Sequence, residues 1–231
     1  MSFTCKELII KHHDKKLVDI AFSFSRSFAL IGQSGSGKSL TLKALLGMLP
    51  NSLETTFSYD ASYPLVRGKT IAFVPQNPFT ALSPLTKIEK QFGIEKESAQ
   101  VYLEMVELNG DLLERFPSEL SGGQLQRIII AMALALKPKL LLLDEPTTAL
   151  DEENKERILQ LIKKLHHAGD FDILFVTHDL ESIEGICEEV GILQHGLMVE
   201  KGLARQILQN PQQTYTQELL RSGFKQRSFR A

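Results

Sequence analysis

A glycine-rich segment followed by lysine and serine is the first part of the chain whose residue types suggest chemistry. Residues 32–39 read GQSGSGKS and match the pattern G-x-x-x-x-G-K-[ST]. Glycines in such a loop allow dihedrals that turn successive N–H groups towards phosphate oxygens, and a following helix adds its positive end. In this pattern the lysine reaches the β- and γ-phosphates and the serine hydroxyl binds Mg²⁺. The predicted nucleotide-phosphate residues are Gly32, Gln33, Ser34, Gly35, Ser36, Gly37, Lys38, Ser39 and Leu40.

Two adjacent carboxylates are the second candidate for chemistry. Asp144 and Glu145 follow four leucines, so we expect them at the carboxyl end of a buried strand, where ligands gather in open α/β sheets. Asp144 is predicted to hold the Mg²⁺ shell, and Glu145 to act as general base on a water aligned with the γ-phosphate. Alone, the pair could simply begin a polar loop before Pro146, but the glycine-rich segment upstream favours the functional interpretation.

Two further polar residues follow apolar strands. Gln76 comes after residues 71–74 and Pro75, so its amide can reach Mg²⁺ or the attacking water. His178 follows residues 173–177 and can contact the γ-phosphate. An isolated glutamine or histidine is more often a surface or structural residue; the position after a strand favours function here. Glu145, His178 and Gln76 are the predicted catalytic residues, and Ser39, Gln76 and Asp144 are the predicted metal ligands.

The pentapeptide Leu120-Ser121-Gly122-Gly123-Gln124 stands at the start of a predicted helix over residues 124–136. Ser121, Gly122, Gly123 and Gln124 can therefore offer N–H groups, a hydroxyl and a positive helix end to an anion. Residues 32–39 are already predicted to surround the phosphates. If both elements contact one nucleotide, we expect the second to come from another chain. Ser121 with Gln124 three residues later also forms a capping box, which explains the motif locally without excluding the anion site.

These residues require a sheet and helices to position them. Predicted strands alternate with predicted helices, which indicates a parallel sheet covered by helices. The strands lie at residues 27–31, 140–143, 173–176 and 190–193, and the helices at 38–49, 124–136, 152–167 and 180–188.

Three other regions complete the predicted architecture. Candidate strands at 54–59 and 70–74 predict an antiparallel part beside the core, and residues 197–200 can pair with the strand before them. Residues 77–119, with a helix at 95–108, predict an inserted helical lobe; the helical subdomain as a whole extends over about 77–135. Short helices at 204–208 and 217–220 close the chain.

Composition limits the class of protein. With 231 residues, 43% of them hydrophobic, we predict a single domain over 1–231. A formal charge of −2 and a pI near 6.3 argue against the broad basic face of a nucleic-acid binder. No apolar run approaches the length of about 20 residues that spans a bilayer, and residues 1–16 do not resemble a secretory signal, so we expect a cytosolic chain. Cys5 and Cys187 lie outside any CxxC pairing and are expected to be unpaired thiols.

The motifs of this chain resemble the complete motif set of the ABC transporter nucleotide-binding subunits, and the resemblance covers about residues 5–220. The motifs are GQSGSGKS, Gln76, LSGGQ, LLLLDEP, Asp151 and His178. This resemblance implies an α/β fold, a P-loop NTPase ABC cassette with a parallel-sheet core, an N-terminal antiparallel β part and an inserted helical lobe. It also implies a head-to-tail dimer with a second ABC ATPase subunit, either a paralogue or a second copy. Ser121 and Gly123 would then face the partner's nucleotide, and Asp151 would couple the two sites.

Finer motifs resemble one branch of that family. LVRG at 65–68, QNPFTALSPL at 76–85 and NPQQTYTQELL at 210–220 resemble the dipeptide, oligopeptide and nickel importers; SGSGKSLT and LGMLP resemble the nickel-importer ATPases of the D type. The resemblance implies an ATPase that uses ATP and Mg²⁺ to power solute import. The implied partners are two integral membrane permease subunits and, indirectly, a solute-binding protein, with no nucleic acid. The implied location is peripheral, on the cytoplasmic face of the inner membrane.

Some residues depart from the family pattern. Residues 4–21 contain no Phe, Tyr or Trp to stack on adenine, which leaves the imidazoles of His12 or His13 as the candidates. His12-His13 and His166-His167 suggest metal binding, but adjacent side chains diverge in strands and helices, so we expect both pairs at the solvated surface.

Two other classes of protein are alternatives to the importer. A soluble ABC ATPase acting on DNA or ribosomes typically needs a long coiled-coil insertion or a second cassette. An ordinary P-loop kinase leaves LSGGQ, Gln76 and His178 without a role.

Overall fold

The structure is a computed structural model that describes residues 2–225, apart from the side chains at positions 181 and 222–225. Its contacts divide the chain into two compact units. The first unit contains the described residues up to Arg67 and those from Asp172 onwards, and the second unit contains Gly68–Phe171.

Strands and helices are numbered here along the chain. The described strands are β1 (Phe3–His12), β2 (Lys15–Phe24), β3 (Ser27–Ile31), β4 (Glu54–Ala61), β5 (Ile71–Val74), β6 (Leu140–Asp144), β7 (Asp172–Thr177), β8 (Glu189–Gln194) and β9 (Leu197–Leu203). The described α-helices are α1 (Lys38–Leu45), α2 (Pro78–Ala81), α3 (Ile88–Phe92), α4 (Lys96–Met105), α5 (Gly122–Ala135), α6 (Glu152–Ala168), α7 (Ala204–Gln209) and α8 (Thr214–Lys225).

Strands of the first unit form a mixed sheet in the order β4-β1-β2-β9-β8-β3-β7. β1 is antiparallel to β2 and β4, and β8 is antiparallel to β9. β3 runs parallel to both β7 and β8. Every residue of β3 is buried, as expected for a parallel strand covered on both faces. β3 therefore gives the segment that follows Ile31 a rigid base.

An aromatic cluster packs the antiparallel strands together. Phe3, Phe22, Phe24 and Phe28 have neighbouring ring centroids 5.1 to 6.3 Å apart. Such separations are favourable for aromatic pairs and add to the burial of apolar area. The cluster joins β1 and β2 to β3, the strand that precedes the glycine-rich segment.

Helices dominate the second unit. β5 and β6 pair in parallel, with Ile71 opposite Leu140. α5 contacts α2, α4, α6 and β5, and its isoleucines at 128–130 are buried. A helix that is apolar on most faces is expected to be buried in this way. Among residues 2–225, no helix combines the length and apolar character that a bilayer crossing needs.

Three of the predicted elements are wrong in part. The helix predicted over 180–188 is only a short 3-10 turn, Glu181–Ile183, because Gly185 adopts φ 71° and breaks helical geometry. The helix predicted over 38–49 ends at Leu45, where the N–H of Met48 donates to the carbonyl of Lys43 around Gly47 at φ 63°.

The third difference concerns β5. The strand predicted at 70–74 belongs to a parallel pair with β6 instead of the antiparallel part. The antiparallel part is formed by β4 with the long strands β1 and β2, which the sequence patterns did not locate. The other predicted strands and helices, including the pairing of β9 with β8, are present with shifted ends.

Candidate functional site

The glycine loop, residues 32–39, connects the buried strand β3 to helix α1 in the first unit. Gly35 and Gly37 have φ angles of 80° and 110°, a backbone region that residues with a side chain rarely adopt. These dihedrals let the chain turn directly into α1, whose first N–H groups have no carbonyl partner one turn earlier. An uncapped helix start with adjacent turned N–H groups is a favourable place for phosphate.

Lys38 is held inside this loop. Its side chain is only 6% exposed, and its Nζ donates to the carbonyl oxygens of Gly32 at 2.6 Å and Gln33 at 3.1 Å. A buried ammonium requires such partners, because an unsatisfied buried charge is costly. The loop therefore positions a cation beside the start of α1.

Close packing against the β8–β9 hairpin fixes the outer side of the glycine loop. A Cβ atom on Gly32 would overlap the carbonyl oxygen of Leu193, so the backbone there has room only for glycine. The N–H of Gly196, itself at φ 81°, donates to the carbonyl of Ser36 at 2.9 Å. The sequence patterns did not point to Gly196; only its place in a His-Gly turn could have indicated it.

His178 lies at the same end of the first unit's sheet as the glycine loop. β3 and β7 are parallel and in register, with Ile31 opposite Thr177, so the two strands end side by side. His178, which is exposed, directly follows β7. The Thr177 hydroxyl accepts the N–H of Asp179 at 3.0 Å, which turns the chain after the strand. The predicted contact of His178 with phosphate stays a prediction.

Gln76 and Glu145 come together in the second unit. The Nε2 of Gln76 donates to the Oε2 of Glu145 at 3.2 Å. Glu145 follows Asp144, the last residue of β6, and has φ 44°, a left-handed conformation that costs a non-glycine residue free energy. Strained residues of this kind cluster at functional sites. The roles predicted for Gln76, Asp144 and Glu145 stay predictions.

Thr148 also contacts the carboxylate of Glu145, and the sequence patterns did not identify it. Its Oγ1 donates to the Oε2 of Glu145 at 3.0 Å, so one carboxylate oxygen accepts from both Thr148 and Gln76. Two hydrogen bonds to one oxygen restrict the rotation of the Glu145 carboxylate. A hydroxyl three residues after a glutamate is a weak sequence signal, because turns commonly contain such pairs.

Replacing Thr148 by valine tests whether this hydroxyl orients Glu145. We expect kcat for ATP hydrolysis to fall about threefold to tenfold, the effect of one ordinary hydrogen bond, with the KM for ATP unchanged. Steady-state kinetics measures both parameters. Thr148→Ser keeps the hydroxyl and is the control; a Thr148→Val rate equal to the wild-type rate contradicts the role.

The LSGGQ segment begins α5 with the predicted capping box. The Ser121 hydroxyl accepts the N–H of Gln124 at 3.3 Å, and the side chain of Gln124 accepts the N–H of Ser121 at 2.9 Å. The local explanation of the motif is therefore confirmed. Ser121 is exposed, so its side of the helix start faces solvent. Binding of another chain's nucleotide by Ser121, Gly122, Gly123 and Gln124 stays a prediction.

Asn154 joins two motifs that are separate in the sequence. Its backbone N–H and its Nδ2 donate to the carboxylate of Asp151 at 2.8 and 2.9 Å. A Cβ atom on Gly123 would lie 2.6 Å from the Oδ1 of the same asparagine. These hydrogen bonds, the backbone one first, lower the pKa of Asp151 and keep it ionised. The sequence patterns did not identify Asn154, whose only signal is its position in the capped first turn of α6.

The histidine pairs meet the expectation in part: His12, His13 and His167 are exposed, and His166 is buried. The rings of His12 and His13 lie 4.4 Å apart between centroids, because His13 turns into φ 52° after β1 and the two side chains do not diverge. His166 is buried near Phe171, at 5.9 Å between ring centroids. The prediction that this residue lies at the solvated surface is therefore wrong. Among the residues described, no group of three or more His, Cys, Asp or Glu side chains could hold a metal ion. Adenine stacking on His12 or His13 stays a prediction.

Both cysteines are free and buried, which confirms the expectation of unpaired thiols. Burial raises the pKa of the Cys5 thiol to about 12. Burial, followed by the nearby Glu188 carboxylate, also raises the pKa of the Cys187 thiol. Since the thiolate is the reactive form, neither residue is a nucleophile near neutral pH.

Comparisons with known proteins give the family. The ABC transporter family profile matches residues 16–148. The oligopeptide transport ATP-binding protein OppD of Bacillus subtilis (strain 168) is 39% identical over an alignment of 223 residues; the alignment covers 85% of this chain and 62% of OppD. The metal-staphylopine import system ATP-binding protein CntD of Staphylococcus aureus is 35% identical over an alignment of 236 positions, gaps included; the alignment covers 90% of this chain and 87% of CntD. The chain belongs to the ABC transporter family.

A solved structure supports the same fold. A chain described as the ATP-binding subunit of an ABC transporter superposes with a TM-score of 0.75 at 24% identity, over 97% of this chain and 100% of that one. The predicted fold class, an α/β ABC cassette, is confirmed. The chain spans less than two thirds of the length of OppD.

Proposed function

We propose that this chain is the ATP-hydrolysing subunit of an ABC importer for peptides or metal complexes. The observation that carries the proposal is the start of α1, where Gly37 at φ 110° and the buried Lys38 precede uncapped N–H groups. This is an arrangement for the phosphates of a nucleotide. The buried Ser36 hydroxyl, which has no hydrogen-bond partner within residues 2–225, adds unused polar capacity to the same loop.

The proposed chemistry assigns separate tasks to the two units. In the first unit, Lys38 and the N–H groups of α1 bind phosphate oxygens and neutralise charge as it develops there. In the second unit, the Glu145 carboxylate takes a proton from the attacking water. Hydrogen bonds from Gln76 and Thr148 hold this carboxylate in place.

The three metal ligands predicted from the sequence are suitable for Mg²⁺. Ser39, Gln76 and Asp144 offer a hydroxyl, an amide and a carboxylate oxygen, the kinds of ligand that Mg²⁺ prefers. When bound with ATP, the ion neutralises phosphate charge. Their assignment to one ion rests on the sequence pattern.

The proposed partners are a second ABC ATPase subunit and two membrane permease subunits, which place the chain at the cytoplasmic face of the membrane. CntD and OppD, by name import and transport ATP-binding proteins, support this assembly. A nickel importer is the narrower proposal and rests only on the motifs SGSGKSLT and LGMLP. The alternative of an ATPase acting on DNA or ribosomes gains no support from these relatives.

Affinity purification of the tagged chain from detergent-solubilised membranes tests the proposal that it belongs to an importer. We expect permease subunits to be recovered. Phe79 and Leu85, both close after Gln76 in the chain, are 57% and 88% exposed and are the proposed permease contacts. Leu85→Asp should therefore reduce permease recovery at least threefold, a change of about 0.7 kcal/mol or more.

Leu203→Asp is the control for this experiment, because Leu203 is another exposed leucine, at 51%, but lies on β9 in the first unit. It should leave permease recovery unchanged. Recovery of ribosomal proteins or DNA in place of a permease overturns the importer proposal.

A further inference from the structure

Tyr215, in the first turn of α8, contacts the glycine loop. Its hydroxyl oxygen accepts the backbone N–H of Gln33 at 3.1 Å, across 182 positions of the sequence. Both residues belong to the first unit. None of the phosphate-binding or catalytic patterns in the sequence involves Tyr215, so this contact gives α8 a connection that those patterns do not provide.

The peptide group that Tyr215 contacts also holds Lys38. The N–H of Gln33 and the carbonyl of Gly32 belong to one planar peptide unit, whose two polar groups point in opposite directions. On one side the carbonyl oxygen of Gly32 accepts Lys38 Nζ at 2.6 Å, and on the other the N–H donates to Tyr215. Rotation of this unit therefore breaks both hydrogen bonds together.

Gln33 is also the residue around which the loop turns. Its carbonyl oxygen accepts the N–H of Ser36 at 3.1 Å and the Nζ of Lys38 at 3.1 Å. The peptide units before and after Gln33 thus both contact Lys38. A contact that fixes the N–H of Gln33 fixes the position of the ammonium group.

The chain around Tyr215 is itself held in place. The carboxylate of Glu200 on β9 accepts the N–H groups of Gln212 at 2.8 Å and Gln213 at 3.2 Å, just before α8. Thr216 and Leu219 are buried and anchor the same helix to the first unit. Tyr215 is thus presented to the loop from a fixed support.

We propose that Tyr215 is a positioning residue of the nucleotide site, which holds the Gly32–Gln33 peptide unit so that Lys38 is oriented for phosphate. This inference rests on the proposed phosphate role of residues 32–40. It makes α8 part of the nucleotide site, and binding is coupled in both directions: the nucleotide strengthens the docking of α8 by the same factor by which docked α8 strengthens nucleotide binding.

The test uses Tyr215→Phe in the full chain, which removes the hydroxyl and keeps the ring. We expect the Kd for MgADP, measured by isothermal titration calorimetry, to rise about threefold to tenfold, the effect of one hydrogen bond. In hydrogen exchange, the Gln33 amide should exchange faster in this variant. The KM for ATP should rise while kcat stays within about twofold of wild type, which separates positioning from loss of the base.

Tyr59→Phe is the matched control, because the hydroxyl of Tyr59 accepts the N–H of Leu65 at the same 3.1 Å, on β4 away from the loop. It removes an equivalent bond and should leave the Kd for MgADP unchanged. If Tyr215→Phe binds MgADP as tightly as wild type, or leaves exchange of the Gln33 amide unchanged, the inference is overturned.

Lys38→Ala separates this inference from the phosphate site itself. Loss of MgADP binding in Lys38→Ala, with wild-type binding in Tyr215→Phe, rejects only the role of Tyr215. Wild-type binding in Lys38→Ala rejects the phosphate site. Weaker binding in both variants, with Tyr59→Phe unaffected, supports both.

Discussion

Glu145→Gln is expected to lower the steady-state rate of ATP hydrolysis at least about 100-fold while nucleotide binding persists. Removal of a general base commonly costs a factor of this size. The glutamine has nearly the same shape, and its carbonyl oxygen can still accept from Gln76 and Thr148, which donate to Oε2 of Glu145. The left-handed backbone at this position also stays as it is. Only the ability to take a proton from water is lost.

The same variant should accumulate as a closed dimer with bound ATP, because the two proposed phosphate-binding elements, residues 32–39 and the start of α5, are unchanged. Size-exclusion chromatography with MgATP measures the dimer, and phosphate release measures the rate. Glu156→Gln, at an exposed position on α6, is the control and should hydrolyse ATP normally. Fast turnover by Glu145→Gln would show that another group serves as the base.

Lys38→Ala is expected to weaken binding of MgATP and MgADP about 10-fold to 100-fold, with hydrolysis falling at least as much. The ammonium of Lys38 makes charge-assisted hydrogen bonds, which are about twice as strong as neutral ones. In the free chain it satisfies the carbonyls of Gly32 and Gln33, which would lose this partner. We therefore also expect the variant to have a lower melting temperature.

Calorimetric titration with each nucleotide and thermal unfolding measure these two effects. Lys43→Ala is the control, since Lys43 is an exposed lysine of the same helix and should change neither quantity. Lys38→Arg should not restore binding, because a planar guanidinium cannot replace a compact ammonium between two carbonyls. Unchanged nucleotide affinity in Lys38→Ala would remove the basis of the proposed site.

Sequence patterns predicted those parts of the candidate site whose geometry depends on residues adjacent in the sequence. The glycine loop is defined by dihedrals within one short segment, so its glycines and Lys38 were found from spacing alone. The capping box of Ser121 and Gln124 was found for the same reason. Thr148 and Asn154 were not found, because a polar side chain three residues after a carboxylate is a weak sequence signal. Gly196 and Tyr215 were not found, because only folding brings them to the glycine loop, in the case of Tyr215 across 182 positions.

The region 180–188 shows what periodicity predicts. Leu180, Ile183, Ile186 and Cys187 are buried, as their helical spacing suggests. The backbone nevertheless forms only a 3-10 turn there, because Gly185 at φ 71° cannot continue a helix. Apolar spacing thus identified the side chains that face the core without fixing the backbone that carries them.

Asn154 determines which segments can be exchanged between related cassettes. A Cβ atom at position 123 would lie 2.6 Å from the Oδ1 of Asn154, so a larger residue there would displace this side chain, which is hydrogen-bonded to Asp151. A chimaera that takes only the LSGGQ segment from a relative would pack that segment against an α6 with which it did not evolve. The segment to exchange therefore runs from the start of α5 through the first turn of α6, and chimaeras between related cassettes should keep these two elements together.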